Sequence, residues 1–458
     1  MQSAGAEIPA TKLQRASVLG GLALRLAKDY IQSRVSQGGK AFASRLSGNR
    51  DEVGKAPSKV LPLRAHEDIV NTLCHMRGSV LKLAQMLSIQ EEELIPSPIL
   101  QIFSKTRDAS VFMNSRQMNM AVSQSLGENW KERNGVEVFR ENPFASASIG
   151  QVHFLRLASG QCCAMKVQFP GVRSAIDTDM AQLRFMASFK LIPPGFFVDR
   201  IINALRAELH LECDYVREGK MLMTFREKIC SIPTAVKLPV TLNAPRVIPE
   251  LSTASVITTE YCPGQPIDKV AASLSQKVRN DLAHCLLYVT LSELFHWKVM
   301  QTDPNFSNYL FDSPTNTLHF IDFGAARSYE PSFVQLYHEI VSAGIAKNKE
   351  AVLSKSIQIG LLTGDENEIM KEAHYQSVLI LAQPFQSSGV FDFAAAKFSK
   401  TLLPHVKVMV KNRICPPPLE IYSLHRRLSG VFLLCTRLEA RVDVRSIWQN
   451  YFSKWSSQ

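Results

Sequence analysis

No Cys-x-x-Cys pair and no histidine cluster occurs among the nine cysteines and eleven histidines, so the chain carries no zinc-site signature. Scattered cysteines in a chain of 458 residues fit reduced thiols in a reducing compartment better than a disulfide framework. Uninterrupted apolar runs are missing as well. The uncharged stretch from Ala373 to Phe391 is broken by Gln376, Ser377, Gln383, Pro384 and Gly389, so no transmembrane helix is expected. There is no internal repeat, and no helix-turn-helix or RNA-binding signature accompanies the net charge of +11, which argues against a nucleic-acid partner. What is present is a globular composition. With 46% hydrophobic and 20% charged residues the chain can bury the cores of two lobes and an appended helical region, which excludes a disordered chain.

The charge is unevenly spread. Residues 1–50 hold eight Lys or Arg against only Glu7 and Asp29, so more than half of the excess is local. Leu19, Leu22, Leu26 and Tyr30 recur at helical spacing with Arg15, Arg25 and Lys28 among the intervening and flanking residues, the pattern of a basic amphipathic helix. A transit or membrane-surface segment is expected there, with any attachment peripheral.

Three short strings carry chemistry by their order. Lys166 lies in Cys162-Cys163-Ala164-Met165-Lys166-Val167-Gln168-Phe169, an apolar-leaning run stopped by Pro170-Gly171 and therefore a strand. Thr302 to Asn308 reads T-D-P-N-F-S-N, a loop with Asp303 and Asn308 five apart. Asp322 opens D-F-G after the short strand Leu318-His319-Phe320-Ile321. A strand lysine, a loop with Asp and Asn, and then a metal-binding Asp are the parts of a kinase-type phosphoryl-transfer site. ATP and Mg2+ are the expected cofactors. Lys166 would reach the phosphates, Asn308 and Asp322 would offer hard oxygen ligands to the metal, and Asp303 would orient the attacking hydroxyl or water.

Upstream of Lys166, Ala145, Ser146, Ala147 and Ser148 occupy the place of a glycine-rich phosphate loop. A Cβ at these positions restricts which peptide N–H can turn toward phosphate, so a different grip on the nucleotide is expected. Ser255 to Glu260 reads as a β-branched strand entering the turn Pro263-Gly264, and backbone groups near Glu260 and Cys262 would meet an adenine edge. Other parts of a protein kinase are absent. Gln301 stands where H-R-D has its histidine, Pro304-Asn305 where a lysine is usual, and no A-P-E follows Asp322. Helical periodicity at Phe333, Leu336, Tyr337, Ile340 and Val341 begins so soon that no peptide-binding segment fits.

Together these residues resemble the UbiB-type atypical kinases, whose mitochondrial members support coenzyme Q (ubiquinone) biosynthesis. Lys82-Leu83-Ala84-Gln85 is similar to the family's K-x-G-Q motif, with Ala84 in place of glycine, and Glu212-Cys213-Asp214 to its E-x-D motif. Ser146 interrupts the family's alanine run. The likeness runs from about Lys12 to the C-terminus, including Cys415-Pro416-Pro417-Pro418 and Ser423-Leu424-His425-Arg426-Arg427. It implies an α+β, bilobal protein-kinase-like fold with an added N-terminal helical domain and a helix-rich C-lobe. The expected divisions are a basic extension over 1–58, a K-x-G-Q region over 59–141, an N-lobe over 142–262 and a C-lobe over 263–458. It also implies that Lys82 and Gln85 cover the site, that Glu212 or Asp214 partners Lys82, and that Glu218 partners Lys166.

The function so implied is an atypical kinase-like ATPase supporting coenzyme Q assembly on the matrix face of the inner mitochondrial membrane. Phosphoryl transfer would go to water or to a quinone-precursor lipid. Coenzyme Q biosynthesis proteins and anionic inner-membrane lipids would be its partners, and a non-catalytic nucleotide-bound scaffold is the rival reading.

Overall fold

A computed structural model describes Gly21 and residues 112–187 and 198–453. Lys82, Gln85 and the basic amphipathic segment lie outside the described residues.

Alternation along one strand sets the orientation of the first lobe. In β4 (Cys162–Gln168), Cys163, Met165 and Val167 are fully buried, while Ala164 and Lys166 point to the opposite face. β4 lies between β3 (Gly150–Leu157) and β6 (Val256–Glu260), with β1 (Val136–Phe139) on the far edge and β2 (Ala145–Ser146) also paired to β3, all antiparallel. The β3–β4 hairpin turns at Gly160, whose φ of +84° suits glycine. Behind the sheet lies α1 (Ser115–Leu126), capped by Asn114, whose Met118, Val122 and Leu126 recur every four residues and enter the same core. α2 (Val172–Ala187) and α3 (Val198–Glu212) complete the lobe.

One helix is shared by both lobes. α4 (Tyr215–Cys230) buries Tyr215 in the core of the first lobe and Leu222, Phe225 and Ile229 in the core of the second. Its N-terminus is capped by Asp214, which accepts from the Arg217 N–H at 3.0 Å. The second lobe is helical around α5 (Gln276–Phe295), in which every residue from Cys285 through Phe295 is buried, as a central bundle helix requires. Around and beyond it lie α6 (Pro331–Ile345), α7 (Lys349–Gln358), α8 (Glu368–Gln386), α9 (Phe398–Asn412), α10 (Leu419–Arg437) and α11 (Val444–Tyr451).

Facing the cleft, this lobe carries a small sheet of β5 (Thr241–Asn243), β10 (Thr317–Phe320), β9 (Tyr309–Asp312) and β7 (Gln265–Pro266), and a separate pair of β8 (Val299–Gln301) with β11 (Ala326–Ser328). No described helix is long and apolar enough to cross a membrane. This is the bilobal α+β arrangement expected from the sequence.

Two expected divisions differ from the packing. The edge at 142 falls inside the first sheet, because Val136–Phe139 already pairs with β3. The span 142–262 also contributes β5 and the later turns of α4 to the second lobe. Local signals were weak in both places: β1 is short and only partly buried, and the partner of β5, β10, lies far downstream. The Pro263–Gly264 turn lies between β6 of the first sheet and β7 of the second, and there Gly264 has φ +112° and a Cβ would lie 2.6 Å from the Phe311 carbonyl oxygen.

Candidate active site

The strand period that buries Met165 and Val167 turns Lys166 into the cleft between the lobes. There Lys166 Nζ donates to Glu218 at 2.8 and 3.1 Å and to Asp322 Oδ2 at 3.2 Å. Burial alone would lower the lysine's pKa, but Asp322 and Glu218 together hold it well above the ordinary value. Burial pushes the Glu218 carboxyl up to about 7 against the opposing pull of Lys166.

Asp322 arrives from the end of β10. Its Oδ1 accepts the Gly324 N–H at 3.0 Å, and the next residue, Phe323, is buried against Phe225 of α4 with ring centroids 4.3 Å apart. The Ile321 N–H donates to the Asn308 carbonyl at 3.1 Å, which fastens the Asn308 turn to the approach to Asp322. Gln301 links the other loop. Its amide donates to the Asp322 carbonyl at 2.6 Å and accepts the Asp303 N–H at 2.8 Å. A residue first noted for replacing histidine thus ties Asp303 and Asp322 together, a role no local pattern announces.

Asp303 is held from below. Thr302 donates to the Ala325 carbonyl at 2.7 Å, and Arg426 of α10 donates to the Thr302 carbonyl at 3.1 Å. The same guanidinium forks onto Glu208 of α3 at 2.9 and 2.8 Å, a buried bidentate pair joining the two lobes. Gly430 lets Pro304 press onto α10, since a Cβ there would lie 2.1 Å from the Pro304 Cβ.

The loop Ala145–Ser148 roofs the cleft. Its Ala147 N–H donates to the Gly150 carbonyl at 2.9 Å, and Ser148 Oγ donates to Glu212 Oε2 at 3.0 Å. Gly150 is required where it stands, because a Cβ would sit 2.5 Å from the Val167 carbonyl oxygen. On the far wall the Glu260 N–H is already given to the Arg246 carbonyl at 2.8 Å, and the Glu260 side chain pairs with Arg246. Cys262 is buried, and burial pushes its thiol up to about 12, which makes it an inert wall.

One cleft is therefore lined by Ala145, Ser146, Ala147 and Ser148, by Lys166, Glu218, Asp303, Asn308 and Asp322, and by Glu260 and Cys262. Glu212 and Asp214 stand outside it, one bonded to Ser148 and the other capping α4. The partnership with Lys82 lies outside the described residues. Gln301, Arg217, Arg426 and Glu208 were not read as site residues, and each acts through a partner distant in sequence.

The donor set suits a hard divalent cation. Asp322 and Asn308 offer side-chain oxygens to the cleft, and the Asn308 Nδ2 is buried without a hydrogen-bond partner. The Lys166 ammonium already pairs with two carboxylates, Glu218 and Asp322, so an anionic triphosphate would need added positive charge. Among the described residues no group of three or more His, Cys, Asp or Glu could hold a metal alone. Magnesium fits such a place because it is commonly bound by one or two protein ligands together with substrate phosphates.

Comparison with known proteins agrees with the geometry. A model of the ABC1 atypical kinase-like domain matches residues 105–356. The chain is 37% identical over 454 residues to the atypical kinase COQ8B, mitochondrial, of Danio rerio, covering 99% of this chain and 70% of that protein. It is 33% identical over 452 residues to the atypical kinase COQ8, mitochondrial, of Saccharomyces cerevisiae, covering 97% and 86% respectively. A solved structure of a Mycobacterium tuberculosis protein in complex with erythromycin matches with a TM-score of 0.57 at 21% identity, over 86% of this chain and 97% of that one, a likeness of fold alone.

Proposed function

The chain belongs to the ABC1 atypical kinase-like family, and from that premise we propose that it is a Mg-ATP-dependent phosphotransferase supporting coenzyme Q biosynthesis in the mitochondrion. The observation that carries this reading is one cleft in which Lys166 bridges Glu218 and Asp322 while Asp303 and Asn308 line the same wall. Lys166 binds phosphate oxygens, and Glu218 keeps its ammonium aimed into the cleft. Asp322 and Asn308 would hold a magnesium ion, which would supply neutralising charge to the phosphates. Asp303, fixed through Gln301 and the Thr302 carbonyl, orients the acceptor and takes its proton. The loop Ala145–Ser148 and the backbone near Glu260 and Cys262 cover the nucleotide.

The acceptor is water or a lipid-like small molecule. β11 and α6 follow Asp322 directly, which leaves no extended segment on which a protein substrate would lie. Activity takes place on the matrix face of the inner membrane, beside anionic lipid and other proteins of quinone synthesis, a placement supported by the mitochondrial relatives and the basic segment near the N-terminus. The test is phosphate release from ATP with and without anionic vesicles. Wild type releases phosphate faster on vesicles, and Asp322→Asn or Asp303→Asn abolishes release. Undiminished turnover in both variants removes the catalytic reading. Rescue of quinone content in deficient cells by Asp322→Asn would favour a scaffold instead.

A further inference from the structure

Arg217 immediately precedes Glu218 on α4, and its guanidinium crosses to the segment that bears Asp322. Nη1 donates to the Gly324 carbonyl at 3.1 Å and Nη2 to the Ala326 carbonyl. The N–H of the same glycine donates to Asp322 Oδ1, leaving Oδ2 toward Lys166 and the cleft. The loop runs close to α4, since a Cβ on Gly324 would stand 3.1 Å from Glu218 Oε2. Arg217 is itself anchored, its backbone N–H held by the Asp214 carboxylate. A planar, rigid fork on two carbonyls fixes a backbone path in a way that a single lysine ammonium does not.

We propose that Arg217 is a positioning residue for the metal-binding acid: by holding the Gly324 and Ala326 carbonyls it keeps Asp322 aimed into the cleft, and it makes that aim depend on the docking of α4. Arg217 and Glu218 leave the same helical turn. The docking of α4 therefore sets both the Lys166–Glu218 pair and the support of the Asp322 loop. This inference rests on the reading of Asp322 as a metal ligand.

The test titrates Mn2+ by electron paramagnetic resonance against the full chain with a non-hydrolysable ATP analogue, and measures analogue binding separately in EDTA. Asp322→Asn serves as the reference. Arg217→Met is expected to weaken Mn2+ binding about 10-fold or more, as loss of an outer-shell support does, while metal-free analogue affinity stays within about twofold. Arg217→Lys should fall between Arg217→Met and wild type, and it carries the test if Arg217→Met does not fold. Mn2+ affinity unchanged in the folded Arg217 variants while Asp322→Asn loses the metal overturns the inference alone. An equal loss of metal-dependent and metal-free affinity also overturns it, because that is general damage to the cleft. Mn2+ binding undisturbed by Asp322→Asn overturns the metal-ligand reading and the inference with it.

Discussion

Lys166–Glu218 at the back of the cleft and Arg427–Glu293 inside the helical lobe are both buried cation–carboxylate pairs, and in both burial pushes the glutamate up to about 7 against its partner's pull. They differ in what else the cation meets. Arg427 forks onto Glu293 at 2.9 to 3.1 Å and also donates to Tyr309, with both partners of the pair fully excluded from solvent. It has nowhere else to go. Lys166 is 15% exposed and shares itself between Glu218 and Asp322, the latter 31% exposed, so an incoming phosphate can take it from either. A saturated pair holds a fold together, whereas a pair with a third, accessible member is poised for ligand exchange.

Breaking the closed pair should have the largest effect. Arg427→Met strands the Glu293 carboxylate and should cost about 3–5 kcal/mol of stability by denaturant melting, with Glu293→Gln added in the same chain restoring part of it. Equal stability of Arg427→Met and wild type would erase the distinction drawn between the pairs. Lys166→Met should instead lower ATP turnover by about 10²–10³-fold while stability falls by less than about 2 kcal/mol, because solvent in the cleft and protonation of Glu218 absorb the change. A collapse of stability here would make the two pairs alike.

The smallest effect sharpens the comparison through pH. Glu218 and Glu293 each titrate near 7 when folded against an ordinary value of 4.5, so between those values the folded chain holds protons that the unfolded chain has released. Stability must then fall as pH rises through that window, by at most about 1.4 kcal/mol per pH unit for each group. Glu218→Gln should remove its share of the slope and leave that of Glu293. Thermal melts of both proteins from about pH 5 to 7 read the difference, and parallel slopes would assign the proton elsewhere.

How much of the site was legible follows from how far each side chain had to reach. Lys166, Asp303, Asn308 and Asp322 each sit in a short local string, so the order and spacing of those strings singled them out as candidates. The pairing of Glu218 with Lys166 came from family resemblance, and the structure places them 2.8 Å apart. Gln301 was visible only as a missing histidine, although its amide bridges both loops. Arg426 and Glu208 are 218 residues apart, and nothing local in either helix announces a partner. The same blindness moved the lobe boundary, since β5 finds β10 only in three dimensions.

By itself, then, the sequence determined the candidate lysine, acid and amide positions and the strand and loop strings that carry them, because backbone and turn preferences act over a few residues. Only the tertiary structure decided which carboxylate each cation would meet, and which arginine would hold each loop. Those choices depend on the packing of α3, α4 and α10 against one another, and burial makes an unpaired charge costly enough to fix the partner once the helices dock.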